Sequence, residues 1–478
     1  MAARASTSTV VHDTSTTLPV ELGPLLEGYS KHMKDFGFDK AKDLIDDAKA
    51  SCAHLSSVMP QDMCWLALLN TLGQLTLAEK GYFNLSFLLP KGFLWKLTAL
   101  RNNYNLIRTD LLKIPDIMNL RARSREAMAS QSVKDADFLA KLKQAAARHG
   151  SLVEHMVHQL HSYVVARIDM MNFYEKLSQL GTGKGLGLED MLQILDDIMR
   201  KHSGTFTHPL ISPLESGFMA ECEILTHLLR AHMKISSFEF LSSLIHLQQI
   251  QTRLTQWAGT VTPLQQQQTS WFSFSGGKSG SQHFPILCQW LRKYYDALVS
   301  KFSLYFLDVL SKQDSPQYFN RHWNKVTNNL SQRIANFQRR YDVTHVCLIL
   351  DASAMPDFHG LGYHHPQREP EQRCGLENYP VLVSFPNSQK PSTYLPALVM
   401  ILNRNAESLA QTNRAVYFPE PQKQVSYFVS LVEGSLYLTL IFTGKKTEKD
   451  STINTFMQEI CNELRCGNIF ASLKAAAK

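Results

Sequence analysis

No apolar run in this sequence approaches the about 20 residues that cross a bilayer as a helix. Membrane residence is therefore expected only through partners. No C-x-x-C pair is present either. The eight cysteines (Cys52, Cys64, Cys222, Cys288, Cys347, Cys374, Cys461 and Cys466) are scattered, several of them at apolar positions. That pattern gives no zinc ribbon or disulfide framework and points to buried reduced thiols, as in cytosol or nucleus. There is no G-x-x-x-x-G-K-[ST] phosphate loop: Gly181-Thr-Gly-Lys-Gly-Leu-Gly187 has neither that spacing nor a preceding strand, and reads as an interhelical turn. Neither charge sign dominates. Forty-nine basic against 42 acidic residues leave +7, too slight an excess to argue for nucleic acid or an anionic membrane. Residues 1–17 carry a single arginine, an aspartate and no apolar face, unlike a targeting peptide, and are expected to form a disordered tail.

What is present is helical period, then strand period. With 44% hydrophobic and 19% charged residues over 478 positions, the chain can bury sizeable cores without disulfides or metal. Leu18 to Leu55 reads as two helices broken at Phe36-Gly37-Phe38, followed by helices over Asp62–Phe83 and Phe93–Ile114. Ser151–Leu180 carries the clearest stripe, with Val153, Met156, Val157, Leu160, Val164, Ile168, Met171, Tyr174 and Leu177 three or four apart. Leu188–His202 and Phe238–Trp257 are further helices. Between them Ser212, Pro213 and Glu215 form the pattern of a capping box with proline at the first helical position.

A Gln/Gly/Ser-rich stretch at about 260–283 reads as a flexible loop. Helical period then returns over 285–311 and from about Pro316 to Arg340. At Val343 the period changes to two. Val343–Asp351, Val381–Phe385 and Ala397–Leu402 are expected strands, Asn403–Thr412 a short helix, and Arg414–Phe418 an edge strand. Gln424–Val432 and Ser435–Thr443 flank Glu433-Gly434 as a hairpin, and an amphipathic helix follows Asp450. The expected fold is an α+β two-part protein: a helical bundle over 18–314, then a mostly antiparallel α+β domain over 315–478.

Candidate chemistry is sparse. His155, His158 and His161 lie three apart beside Glu154, a spacing that drifts around a helix where zinc helices use i, i+4; they read as a polar flank. Arg121 to Arg125 reads as a solvated basic loop. The segment His359-Gly-Leu-Gly-Tyr-His-His-Pro366, between two strands and followed by Cys374, is the most site-like. Tyr363, His364 and His365 are its candidates for partner contact. A metal-dependent hydrolase built on His359, His364, His365 and Cys374 is the enzymatic alternative, and a Cys374–histidine–Asp351 nucleophile system can also be drawn. No catalytic residue, metal ligand or cofactor is assigned.

Five strings, Ala166–Lys176, His208–Phe218, Lys301–Phe306, Gly362–Pro366 and Phe470–Lys474, occur in that order. In them, and over roughly residues 18–478, the chain resembles the family of KICSTOR complex components. The resemblance implies a helical domain fused to an α+β domain of roadblock or longin style. It also implies a non-enzymatic adaptor role, with no cofactor and with the other KICSTOR subunits as partners, the large scaffold subunit among them. In that family KICSTOR sits on the cytosolic face of the lysosomal membrane. There it tethers the GATOR complex, a GTPase-activating protein for Rag GTPases, and so restrains mTOR signalling when amino acids or glucose are scarce. Direct regulation of a small GTPase by the α+β domain is a further alternative. The tail, the Arg-rich stretch, the glycine turn and the Gln/Gly/Ser segment look like local elaborations in loops.

Overall fold

A computed structural model describes residues 22–53, 61–88, 100–116, 136–180, 187–259, 284–313, 329–355, 358–365, 373–386, 391–411, 415–444 and 446–476. The expected tail, the loop at 260–283, the Arg121–Arg125 cluster, most of the glycine turn and the 314/315 boundary lie outside these residues. The chain divides into two compact units. One takes the described residues within 1–79, 105–162 and 205–215; the other takes those within 80–104, 163–204 and 216–478.

The helices in chain order are α1 (Leu22–Lys34), α2 (Phe38–Ala53), α3 (Gln61–Phe83), α4 (100–116), α5 (Ala136–Leu177) and α6 (Leu188–His202). They continue as α7 (Ser212–Ser236), α8 (Phe240–Gly259), α9 (Ile286–Tyr305), α10 (Leu307–Ser311) and α11 (Leu330–Arg340).

In the first unit, α1 and α2 are separated by Phe36 in a left-handed conformation (φ 58°), so the expected break falls where the sequence marks it. Leu26, Tyr29, Ile45, Leu68, Leu69 and Leu72 are buried between α1, α2 and α3. The Tyr29 hydroxyl donates to the Leu72 carbonyl (3.1 Å) and accepts from Thr76 Oγ1 (3.3 Å), which settles a polar group inside that core. Ser30 Oγ donates to the Leu210 carbonyl at 2.8 Å.

The entry to α7 differs from expectation. Ser212 has helical dihedrals (φ −51°, ψ −33°), so it begins the helix and does not cap it. Pro209–Ile211 form a 3-10 turn that runs directly into α7, and His208 caps that turn, its Nδ1 accepting from Leu210 N at 3.2 Å. Proline at the first position of this turn takes the place foreseen for Pro213.

The second unit holds a five-stranded sheet of β1 (His345–Leu350), β2 (Val381–Phe385), β3 (Val416–Glu420), β4 (Val425–Glu433) and β5 (Leu436–Thr443). The order is β2-β1-β5-β4-β3, and every neighbouring pair is antiparallel. β1 is buried at all six positions, which explains its unbroken apolar run: helices cover both faces. Gly434 turns the β4–β5 hairpin with φ 50°. β3 is an edge strand and carries Pro419, a residue that edges tolerate.

One expected strand is a helix. Ala397–Leu402 belongs to α12 (Leu395–Gln411), which runs through the region read as a strand and then a short helix, with its one irregular residue at Asn405. Leu398, Leu402 and Leu409 recur at helical spacing and pack on Cys347, Ile349, Tyr427 and Val429 of the sheet. A short apolar run has no period of its own, and only the sheet face it covers decides between the two states. On the opposite face lies α13 (Ser451–Leu464), capped by Asp450, which accepts from Thr452 N and Ile453 N. Cys466 at φ 55° ends it, and α14 (Gly467–Ala476) follows. α14 lies against α9: Trp290 Nε1 donates to the Ile469 carbonyl at 2.9 Å, and Phe470 meets the Tyr294 ring edge-on.

Candidate functional site

The loop singled out in the sequence is built from its ends. Phe358 lies edge-on to Phe238, and Arg373 reaches back to the Phe358 carbonyl. Gly360 and Gly362 take φ 103° and 116°, backbone states that side-chain-bearing residues rarely adopt. A Cβ on Gly362 would lie 3.5 Å from Val309, so the backbone rests directly on α10. Tyr363, between these fixed points, is 60% exposed. The His359 and His364 rings lie 5.9 Å apart, and His364 Nε2 is buried without a hydrogen-bond partner. Cys374 is exposed and leads into a 3-10 turn at Gly375–Asn378, its N–H donating to Glu377 at 3.4 Å.

This loop does not gather the ligands of the metal alternative. Among the described residues no three His, Cys, Asp or Glu side chains are gathered as metal ligands, the group His359, His364, His365 and Cys374 included. Asp351 is engaged locally: its carboxylate accepts from Ser353 N at 3.0 Å and Ser353 Oγ at 2.5 Å. Burial pushes the thiols of Cys222, Cys288 and Cys461 up and those of Cys347 and Cys466 to about 12, opposite to what a thiolate nucleophile needs. The histidine run on α5 is a structural flank. His155 Nε2 meets Gln159 Nε2 at 2.9 Å, Gln159 Oε1 accepts from His208 N at 2.8 Å, and the His155 and His208 rings lie 5.5 Å apart.

An open groove of about 510 Å³ lies between α11 and α13. Phe337 stacks on Phe456 at its floor (centroids 3.6 Å apart), and Arg333 is held by Glu463 and Glu459 at its side. The groove's lining contains neither cysteine nor histidine.

Two buried polar clusters were not foreseen. In the first, Arg167 of α5 (2% exposed) donates through Nη1 to Glu221 Oε2 of α7 (0% exposed) at 2.6 Å. Glu221 Oε1 also accepts from the Tyr82 hydroxyl at 2.6 Å and the Tyr174 hydroxyl at 2.9 Å, while Arg167 Nε donates to the Tyr163 hydroxyl at 3.0 Å. The guanidinium stands 4.5 Å from the centre of the Tyr82 ring. Burial, and then the Glu221 charge, push the Tyr82 and Tyr174 hydroxyls far above the usual phenol range, so both remain donors. In the second cluster Lys301 of α9 (0% exposed) donates to Glu433 Oε2 at 2.7 Å and to Ser236 Oγ at 2.9 Å; Tyr305 donates to Glu433 Oε1 at 2.6 Å. That cluster ties α7 and α9 to the end of β4.

The sequence held a signal for both. The stripe read from the α5 sequence runs through Ile168, yet Ile168 is half-buried and its neighbour Arg167 takes the core position. Arg167 lies at the same three-to-four spacing as Leu160, Tyr163, Met170 and Tyr174. Lys301 likewise lies on the face of Leu298 and Tyr305. A cation on an apolar stripe is the readable mark of a buried ion pair. These clusters have matched partners and no open reacting position. Their chemistry is to fix which helix faces meet.

Residues 16–478 match the sequence profile of the family described as KICSTOR complex C12orf66 like. The chain belongs to this family. It is similar to KICSTOR subunit 2 of Danio rerio, 31% identical over 458 residues that cover 95% of this chain and 96% of the relative. It is similar also to KICSTOR subunit 2 of Xenopus laevis, 31% identical over 468 residues, 95% and 97% of the two chains. In this member of the KICSTOR family, Arg167, Tyr174, Lys301 and Tyr305 all lie within the strings that first suggested the resemblance. Among the described residues no helix is long and apolar enough to cross a membrane.

Proposed function

We propose that this chain is a non-enzymatic scaffold subunit of KICSTOR. In this reading it helps tether the GATOR complex to the cytosolic face of the lysosome, and so restrains mTOR signalling on amino-acid or glucose deprivation. Membership of the family over residues 16–478 carries the reading. Membrane association would come through the other subunits. The strand order β2-β1-β5-β4-β3 supports a roadblock or longin kinship for the sheet. The Tyr363–His365 loop is a proposed partner contact, supported by the exposure of Tyr363 on a backbone pinned on both sides.

The experiment is affinity purification of the tagged chain in mild detergent with mass spectrometry. The other KICSTOR subunits are expected in stoichiometric amounts and GATOR components in smaller ones. Recovery of a well-folded chain without them refutes the reading. Stimulation of GTP hydrolysis or nucleotide exchange by the purified chain alone would instead favour direct GTPase regulation.

A further inference from the structure

α11 carries three arginines, Arg333, Arg339 and Arg340, and no acidic residue. They differ in what holds them. Arg333 is bound by Glu463 and Glu459 of α13. Arg339 donates to the Asn336 side chain and the Ala335 carbonyl, both neutral. Arg340 is exposed and stands 5.6 Å from the centre of the Tyr341 ring; among the described residues it meets no carboxylate and no hydrogen-bond acceptor. It lines the groove of about 510 Å³ between α11 and α13.

The rest of that lining is rich in uncommitted donors. Asn336 receives the Arg339 bond at 2.9 Å. A guanidinium only donates, so the amide oxygen is fixed on that side and the NH₂ group is left without an acceptor. Tyr341 and, from α13, Ser451, Thr452 and Thr455 also line the groove, and none of their hydroxyls has a partner among the described residues. The helical threonines elsewhere behave differently. Thr71, Thr76, Thr109, Thr252 and Thr255 each return the hydroxyl to the carbonyl four residues back, at 2.8–3.0 Å. Acceptors at the groove are already engaged. Glu459, the one carboxylate in its lining, faces Arg333 at 3.5 Å, and Asp450 accepts from Thr452 N and Ile453 N at 3.0 and 3.3 Å.

A cation among unfilled donors complements a ligand that can only accept. A phosphoryl group brings about −1.5 to −2 charges and three acceptor oxygens, and a guanidinium can pair with it through two parallel bonds. The N-terminal end of α13, with no acidic residue in its first turn, adds a favourable field. A carboxylate, with two oxygens and one charge, would leave more of these donors unused. Asp342, Glu448 and Asp450 flank the lining residues in sequence, so a broad anionic membrane would meet carboxylates there, whereas a single phosphoryl group enters between the helices. We propose that the groove between α11 and α13 binds a phosphorylated side chain of a partner protein, with Arg340 as its charge partner and Asn336 and Thr455 as hydrogen-bond donors. The stacked Phe337 and Phe456 at the floor offer an apolar contact to the residue beside the phosphate.

The test uses the purified full-length chain and fluorescence anisotropy against a degenerate peptide library with a central phosphoserine, and against the same library unphosphorylated. The phosphorylated library should bind about tenfold or more tightly. Arg340→Gln should remove that difference, while Arg404→Gln, an equally exposed arginine on α12, should keep it. Thr455→Val, which loses only the hydroxyl, should weaken binding several-fold. All three positions are exposed, and circular dichroism and thermal unfolding of the variants should match the wild type. Equal binding of the two libraries overturns the proposal, as does a preference for phosphate that survives Arg340→Gln. Inorganic phosphate binding as tightly as the library would assign the groove to the free ion and overturn the peptide. So would flotation with phosphatidylserine-containing phosphatidylcholine vesicles that Arg340→Gln abolishes, in favour of a membrane. None of these readouts needs another KICSTOR subunit, so the outcome is independent of the assembly reading.

Discussion

Arg167→Met is the sharpest perturbation of this structure. It removes the cation from a pair in which Arg167 is 2% and Glu221 0% exposed, while filling most of the same volume. Glu221 is left with only the Tyr82 and Tyr174 hydroxyls, at 2.6 and 2.9 Å. Stranding one member of a buried pair costs about 3–5 kcal/mol. Glu221→Met should cost a similar amount, because it strands the guanidinium and also leaves buried hydroxyls without an acceptor, each worth about 1–3 kcal/mol. In the double variant neither charge remains, so its cost should be close to that of the worse single and at least about 3 kcal/mol below the sum. Urea unfolding followed by tryptophan fluorescence reports on the site directly, since Trp290 stands edge-on to Tyr174 at 6.3 Å. Additivity of the two singles within about 0.5 kcal/mol would refute the reasoning. So would an Arg167→Met cost below about 1 kcal/mol, because a charge of no consequence cannot have been buried and paired.

Lys301→Met should cost about 3 kcal/mol or more and, because Glu433 ends β4, should speed hydrogen exchange in the β4–β5 hairpin ahead of α5; uniform loss of protection would argue against a local tie. Burial, then His246 with Arg253 and Arg230, lowers the His227 imidazole from 6.5 to about 4, so between those values the unfolded chain binds the extra proton. Stability from the neutral ring is complete above pH 6.5 and lost as pH falls towards 4; a urea-midpoint series over that window should be flatter in His227→Gln, and an unchanged slope refutes the assignment. Gly362→Ala forces a side chain onto φ 116° against Val309, a strain of about 1–3 kcal/mol. It should open residues 358–365 to proteolysis with little change in global unfolding, and an undisturbed loop would contradict the close approach to α10. Tyr363→Ala should leave unfolding unchanged and weaken recovery of partner subunits, whereas unaltered recovery removes this loop as a contact.

Much of the secondary structure is legible in the sequence alone, because period is local. The alternation either side of Glu433-Gly434 requires a hairpin, and β4 and β5 form it. The break at Phe36-Gly37-Phe38 separates α1 from α2. The readings that failed concern choices that only a neighbour makes. Ala397–Leu402 has residues fit for either state, and the apolar face of the sheet turns it into α12. Ser212 carries every mark of a cap, yet the 3-10 turn ahead of it places it inside the helix.

The candidate site divides in the same way. By its own pattern the sequence determined an N-terminal helical region, a C-terminal antiparallel sheet and the family, since strings such as Ala166–Lys176 and Lys301–Phe306 are one-dimensional features. It could also mark Arg167 and Lys301 as cations on apolar stripes. Only the tertiary structure decided their partners, because Glu221 is 54 residues from Arg167 and Glu433 is 132 from Lys301. A buried charge is tolerable only where the fold delivers its counter-charge and hydroxyls within hydrogen-bond reach. The same holds for α8, which carries Leu241, Leu244 and Ile245 on one stripe and Leu247 and Ile250 on another. Which stripe is core and which is left uncovered is fixed by the helices packed against it, and that is information no single segment contains.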